Sequence, residues 1–145
     1  MNENNELLMH IYKASEMGVE STKMVLDCIK TKVNKIKHVL ESELKEYEKY
    51  FKISRDKLKK QEIKPKGNKI ITKMSSDLGV YFETMKDNSD AAIASMMVEG
   101  LTMGVIEMET KISNYQSTCE EDILKIAKDF LEFQNNEVNK LKTFM

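Results

Sequence analysis

A single proline, Pro65, stands in the whole chain, and on either side of it apolar residues recur at three- and four-residue steps. That spacing marks one face of an α-helix. With so few interruptions the backbone hydrogen-bond ladder can run for many turns. Only five glycines occur and 32% of the residues are charged, with Lys, Glu, Met and Leu plentiful, a composition that favours helix. At 145 residues the chain suits one domain, residues 1–145, with a core of ordinary size. The expected class is all-α.

The stripes give the elements. A first helix is expected from about Asn5, carrying Leu8, Ile11, Tyr12, Ser15, Gly18, Val19, Thr22, Val25, Leu26 and Ile29, with small residues at its centre that invite close packing. A second runs through Val33, Ile36, Leu40, Glu43, Tyr47, Tyr50, Phe51 and Leu58. A tight turn near Thr31 separates them, because one helix of ~55 residues would leave most of its stripe without a partner. EIKPKGNK, residues 62–69, reads as a loop, and Ile71, Met74, Leu78, Tyr81, Phe82 and Met85 mark a shorter helix after it. KDNSD supplies N-cap side chains for a third long helix, from about Asp90 to near Tyr115, whose stripe is read as Ile93, Met96, Met97, Gly100 and Gly104. In NYQSTCEED two capping boxes overlap, Ser117 to Glu120 and Thr118 to Glu121. The last helix then presents Ile123, Ala127, Phe130, Leu131, Gln134, Val138, Leu141 and Phe144. Four such helices, each ~38 Å long at 25 residues, pack best as an antiparallel four-helix bundle, with the short helix in the central connection.

Inside that bundle the stripes place polar groups. Glu43 falls near the middle of the second stripe, one turn from Tyr47, and Glu107 falls in the stripe read for the third helix. Gln134 is central on the last helix and Glu137 lies at the stripe's edge. Glu99 and Glu109 lie off the stripe. A buried carboxylate is costly unless it is paired, protonated, hydrogen-bonded or metal-bound. The preferred account is a hydrogen-bonded core of Glu43, Tyr47, Glu107, Gln134 and Tyr12 that fixes register. A carboxylate metal centre is the alternative, but His10 and His38 lie off the stripes and neither follows an inward Glu by three residues.

This pattern resembles the ferritin-like superfamily. The likeness rests on inward Glu43, Glu107 and Glu137, a long central connection, and MGVE at 17–20 echoed by MGVIE at 103–107. It points in particular to small bacterial ferritin-like proteins whose metal ligands are incomplete. The resemblance implies two similar helical hairpins and a two-metal site, of iron or manganese, with Glu43, Glu107 and Glu137 as ligands. Gln134 and Tyr47 stand where better ligands would be expected, so no cofactor is the preferred expectation.

Net charge is −1, which gives no overall field to recruit nucleic acid or an anionic membrane. MNENNELLMH lacks the basic start and apolar run of a signal peptide, and the apolar run from Ala91 to Met108 is interrupted by Glu99 and Glu107. A cytoplasmic protein with neither nucleic acid nor membrane as partner is expected. Lys52, Arg55, Lys57, Lys59, Lys60, Lys64, Lys66 and Lys69 read as a solvated helix end. The eleven Met residues read as core filling. GLTMG, with Gly100 and Gly104, is expected to meet the small face around Gly18. Ala94, Val98 and Val105 fall off the assumed stripe, so the short helix or a second copy must cover them, and a homodimer or a protein partner is expected. An up-down order puts Cys28 and Cys119 at the same end, where inert thiols are preferred over a redox clip. No nucleophile triad, phosphate loop or zinc motif is present, so no catalytic residue is assigned.

Overall fold

Spacing and capping produce four long helices in a computed structural model that describes residues 2–65 and 88–145. They are α1 (Glu3–Cys28), α2 (Lys37–Lys60), α3 (Asp90–Tyr115) and α4 (Glu121–Lys142), and no strand occurs among the described residues. The short helix expected over 71–85, and most of the loop after Lys64, fall outside the described residues. Asn2 starts α1 by accepting the Asn5 N–H at 2.9 Å, and Ser89 does the same for α3 from Ala92 at 3.3 Å. The chain leaves the helix after Cys28 and resumes at Lys37, so the turn expected near Thr31 is present. Val33, read as the start of the second stripe, is instead 99% exposed at the tip of that turn.

Two helices start without a cap of their own. Ile36, at the N-cap of α2, has no side-chain acceptor, and Asp90 of α3 takes its place. The Asp90 carboxylate accepts the Lys35 N–H at 3.1 Å, the Ile36 N–H at 3.4 Å and the Asn34 side-chain amide at 2.9 Å. A negative charge there also complements the helix dipole. At α4 neither capping box forms. Asn4 of α1 accepts the Glu120 N–H at 2.8 Å, Thr118 donates to Glu3, and the Tyr115 hydroxyl donates to Glu6 at 3.1 Å. The local acceptor Ser117 is displaced because Asn4 on another helix already accepts the same Glu120 N–H.

These bonds fix which ends meet. The start of α3 lies beside the turn after α1, and the start of α1 lies beside the turn before α4. Lys57 pairs with Asp122 at 3.3 Å, so the end of α2 lies by the start of α4. Cys119 therefore sits at the end of the assembly where α1 begins, and Cys28 a helix length away, ~38 Å, at the other. The up-down order had placed them together. No disulfide joins them.

α1 packs along α2 and α3 along α4, with lighter contact between the pairs. Between α2 and α4 lies an aromatic layer: Tyr47 meets Phe133 edge-on at 5.0 Å, and Tyr50 meets Phe130 at 5.1 Å. The core stripe of α3 is Ile93, Ala94, Leu101, Val105, Met108 and Ile112, about one residue's rotation from the stripe read in the sequence. Burying Leu, Met and Ile gains ~1.5–3 kcal/mol each, and burying glycine gains almost nothing, so the face with larger side chains turns inward. Ala94 and Val105 are thus core residues, while Met103 (62%) and Ile106 (58%) face outward.

A sequestered carboxylate pair as candidate functional site

Among the described residues, Glu43 and Glu137 are the acids that the fold withdraws from water, at 0% and 2% exposure. Their helices position them. Glu43 lies on the buried line Leu40–Glu43–Tyr47 of α2, and Glu137 on the line Phe130–Phe133–Gln134–Glu137–Leu141 of α4. Glu137 was expected only at the edge of its stripe. It is drawn in because the apolar face of α4 is wide enough to include Phe133, one position round from the line inferred from sequence.

Burial raises the Glu43 pKa to about 8, and the charge of Glu137 adds to the effect. Thr22 and Lys140 oppose it. The Thr22 hydroxyl lies 2.6 Å from the Gly18 carbonyl and 3.4 Å from Glu43 Oε2. With one hydrogen for two acceptors, and the shorter bond to the carbonyl, it does little for the carboxylate. Glu137 is also raised by burial, but Lys140 donates to its Oε1 at 3.2 Å and opposes the shift. The pair is therefore asymmetric: on α2 burial holds the Glu43 carboxyl neutral at pH 7, whereas on α4 Lys140 partners Glu137 and counters the upward shift.

Tyr47 and Gln134 belong to this layer. Burial pushes the Tyr47 hydroxyl well up, and Glu43 and Glu137 push it further. Gly18 faces the Tyr47 ring so closely that a Cβ there would lie 2.3 Å from it. Gly104 likewise faces Gln134, with a Cβ position 2.8 Å from its amide nitrogen. Gly100 meets nothing, so GLTMG does not pair with Gly18. Tyr12 stands apart, stacked on Phe51 at 4.7 Å, and its raised pKa comes from burial and then Glu16, with Arg55 opposing.

Glu107 does not enter the core. It is exposed, at a surface groove that it shares with His10, Ile106, Thr110 and Lys111. Burial and Lys111 lower the His10 pKa, while Glu107 raises it. The inward reading of Glu107 followed from the misplaced stripe, and one residue's rotation carries it to the surface.

Whether the site suits a metal turns on its oxygens. Glu43 Oε1, Gln134 Oε1 and Glu137 Oε2 have no hydrogen-bond partner among the described residues. Yet with Glu107 outside, no three His, Cys, Asp or Glu side chains come together to hold an ion among the described residues. The set Glu43, Glu107 and Glu137 does not fit a two-ion centre. Thr22 and Lys140 are the members that sequence reasoning missed. Lys140 was findable, since it follows Glu137 at helical i,i+3 spacing.

α3 has a length and hydropathy compatible with crossing a membrane, 26 residues with a mean hydropathy of 1.4 over its most apolar window, a test that core helices also pass. The chain matches no protein-family model, curated protein or solved structure.

Proposed function

We propose that this protein is a non-catalytic helical module that acts by assembling with a second copy of itself, its polar core serving to fix helix register. The observation that carries the reading is the closure of the acidic core. Glu43 and Glu137 are closed off from solvent, Glu43 within the packed core and Glu137 beneath the half-exposed Lys140 side chain, and the third acid lies outside.

In architectural terms we read the chain as an antiparallel four-helix bundle of ferritin-like type. Support comes from the end contacts, by which α1 and α4 point one way and α2 and α3 the other. The end of α2 and the start of α3 then lie at opposite ends, as in bundles with one long crossover. Further support comes from the echoed motifs, since Gly18 and Gly104 each meet a side chain of the helix paired with their own.

The surface of assembly is the outer face of α3. Gly100, Met103 and Ile106 are exposed along it, and the glycine leaves room for close approach. An antiparallel pairing centred near Val105 sets Met103 against Ile106 of the second copy and Glu99 against Lys111. That register opposes unlike charges at Glu99 and Lys111.

A second reading, a degenerate carboxylate protein handling iron or manganese, has the three unpartnered oxygens in its favour. The two readings separate on protein purified without chelator. Light scattering should give a dimer mass, and elemental analysis should give substoichiometric iron, manganese and zinc. About two bound ions per chain would overturn the first reading.

A further inference from the structure

Although the net charge is −1, the charges are unevenly spread along the sequence. Between Asp27 and Glu41 there is no acid, while Lys30, Lys32, Lys35, Lys37 and His38 all fall in that stretch. It forms the turn between α1 and α2. Lys140 and Lys142, in the last turn of α4, lie at the same end, since Lys140 acts on Glu43 in the second turn of α2. Lys37 is occupied, its ammonium donating to the Lys30 carbonyl at 3.2 Å and to the Lys32 carbonyl. Lys30, Lys32, Lys35 and Lys142 are exposed and form no ion pair among the described residues.

At the apex of this basic turn stands Val33, 99% exposed. Two ties hold it there: Lys37 closes the turn on one side, and Asp90 grips Asn34, Lys35 and Ile36 on the other. An aliphatic side chain fixed outward gains nothing from water. Ringed by lysines, it matches a surface that is anionic at its boundary and apolar beneath. Nucleic acid fits less well, because residues 28–40 contain no Phe, Tyr or Trp, only the ring of His38, to stack on a base, and no Arg to clamp one.

We propose that the turn between α1 and α2 is a peripheral docking point for an anionic lipid surface. Lys30, Lys32, Lys35 and Lys142 meet the phosphates, and Val33 enters the boundary between headgroups and acyl chains. Attachment of this kind is reversible, each lysine near an acidic leaflet contributing about a fivefold gain in partitioning, and a single valine adds a shallow apolar anchor.

The test is co-sedimentation of the full chain with phosphatidylcholine vesicles, pure or carrying about 30% phosphatidylserine. Binding is expected only to the acidic vesicles, and to fall steeply when salt rises from about 0.1 to 0.5 M as charges are screened. Lys32→Glu with Lys35→Glu should reduce it by more than tenfold, Val33→Asp severalfold, and Lys45→Glu, an equal charge change on the flank of α2, hardly at all. All these side chains are exposed, so thermal melts of the variants should match the parent. Absence of binding, equal binding to neutral vesicles, insensitivity to Val33→Asp, or stronger binding to an oligonucleotide at the same salt would each overturn the proposal.

Discussion

A carboxyl group held neutral at physiological pH makes stability depend on pH in a direction opposite to that of most acids. The Glu43 pKa is about 8 in the folded chain and near the ordinary 4.5 when unfolded. The native state thus binds the extra proton between those values. Stability from this group is fully present below about 4.5, falls as pH rises through the window, and levels off above about 8. The slope is about 1.4 kcal/mol per pH unit at its steepest. Glu43→Gln keeps the shape and removes the titration, so it should stabilise the protein by a few kcal/mol at pH 8 and leave it nearly unchanged at pH 4.5. Urea midpoints across that range measure the effect, and an unaltered slope in the variant would refute the assignment. The glycines give a second contrast. Gly18→Ala drives a methyl group into Tyr47, whose ring is held by Phe130 and Phe133, and should cost about 1–3 kcal/mol. Gly100→Ala meets nothing within its own chain, so at concentrations low enough to leave single chains it should stabilise α3 by about 0.5–1 kcal/mol in urea melts.

Among the elements, α2 and α4 owe their first turns to other helices. Asp90→Ala removes the acceptor for the Lys35 and Ile36 N–H groups, and Asn4→Ala removes the one for Glu120. Each should cost about 1 kcal/mol. Because they sit at opposite ends, the double variant should show the sum to within about 0.5 kcal/mol, a result readable from urea melts. Such caps leave no mark in the sequence, since they depend on which ends meet. What the sequence does carry is the stripe. In α1 and α2 the buried Ile11, Tyr12, Thr22, Leu40, Glu43, Tyr47 and Leu58 are the residues that periodicity selects, because polar residues fill the opposite faces. On α3 the contrast fails. Apolar or small residues occupy adjoining faces, so two stripes one residue apart are equally periodic, and only side-chain size separates them. The same ambiguity makes Glu107 read as inward and hides the exposure of Met103 and Ile106, while Glu43, Tyr47 and Gln134 are legible because their helices are cleanly two-faced.

For the whole molecule the decisive quantity is how much apolar surface the packed helices leave outside. α3 is the most apolar of the four, yet only 22% of its most apolar window is buried. In a monomer, Met103 and Ile106 would stay in water next to the acidic Glu99 and Glu107. The pairing proposed here buries them and opposes Glu99 to Lys111 twice, once on each side of the twofold axis. It makes a reciprocal demand on charge. Glu99→Lys should weaken the dimer by like-charge repulsion against Lys111, and Lys111→Glu should do so against Glu99. Together the two changes should restore it, because the pair is then reversed and not broken. Exposed pairs contribute about 0.2–1 kcal/mol each, so the single variants should shift the dissociation constant by several-fold and the double variant should bring it back. Met103→Glu with Ile106→Glu should yield a monomer at every concentration. Melting temperature provides a second readout, since mass action makes the parent rise with protein concentration and leaves a monomeric variant flat. A parent whose light-scattering mass and melting temperature are both independent of concentration, at the mass of one chain, would remove assembly from the account of this fold.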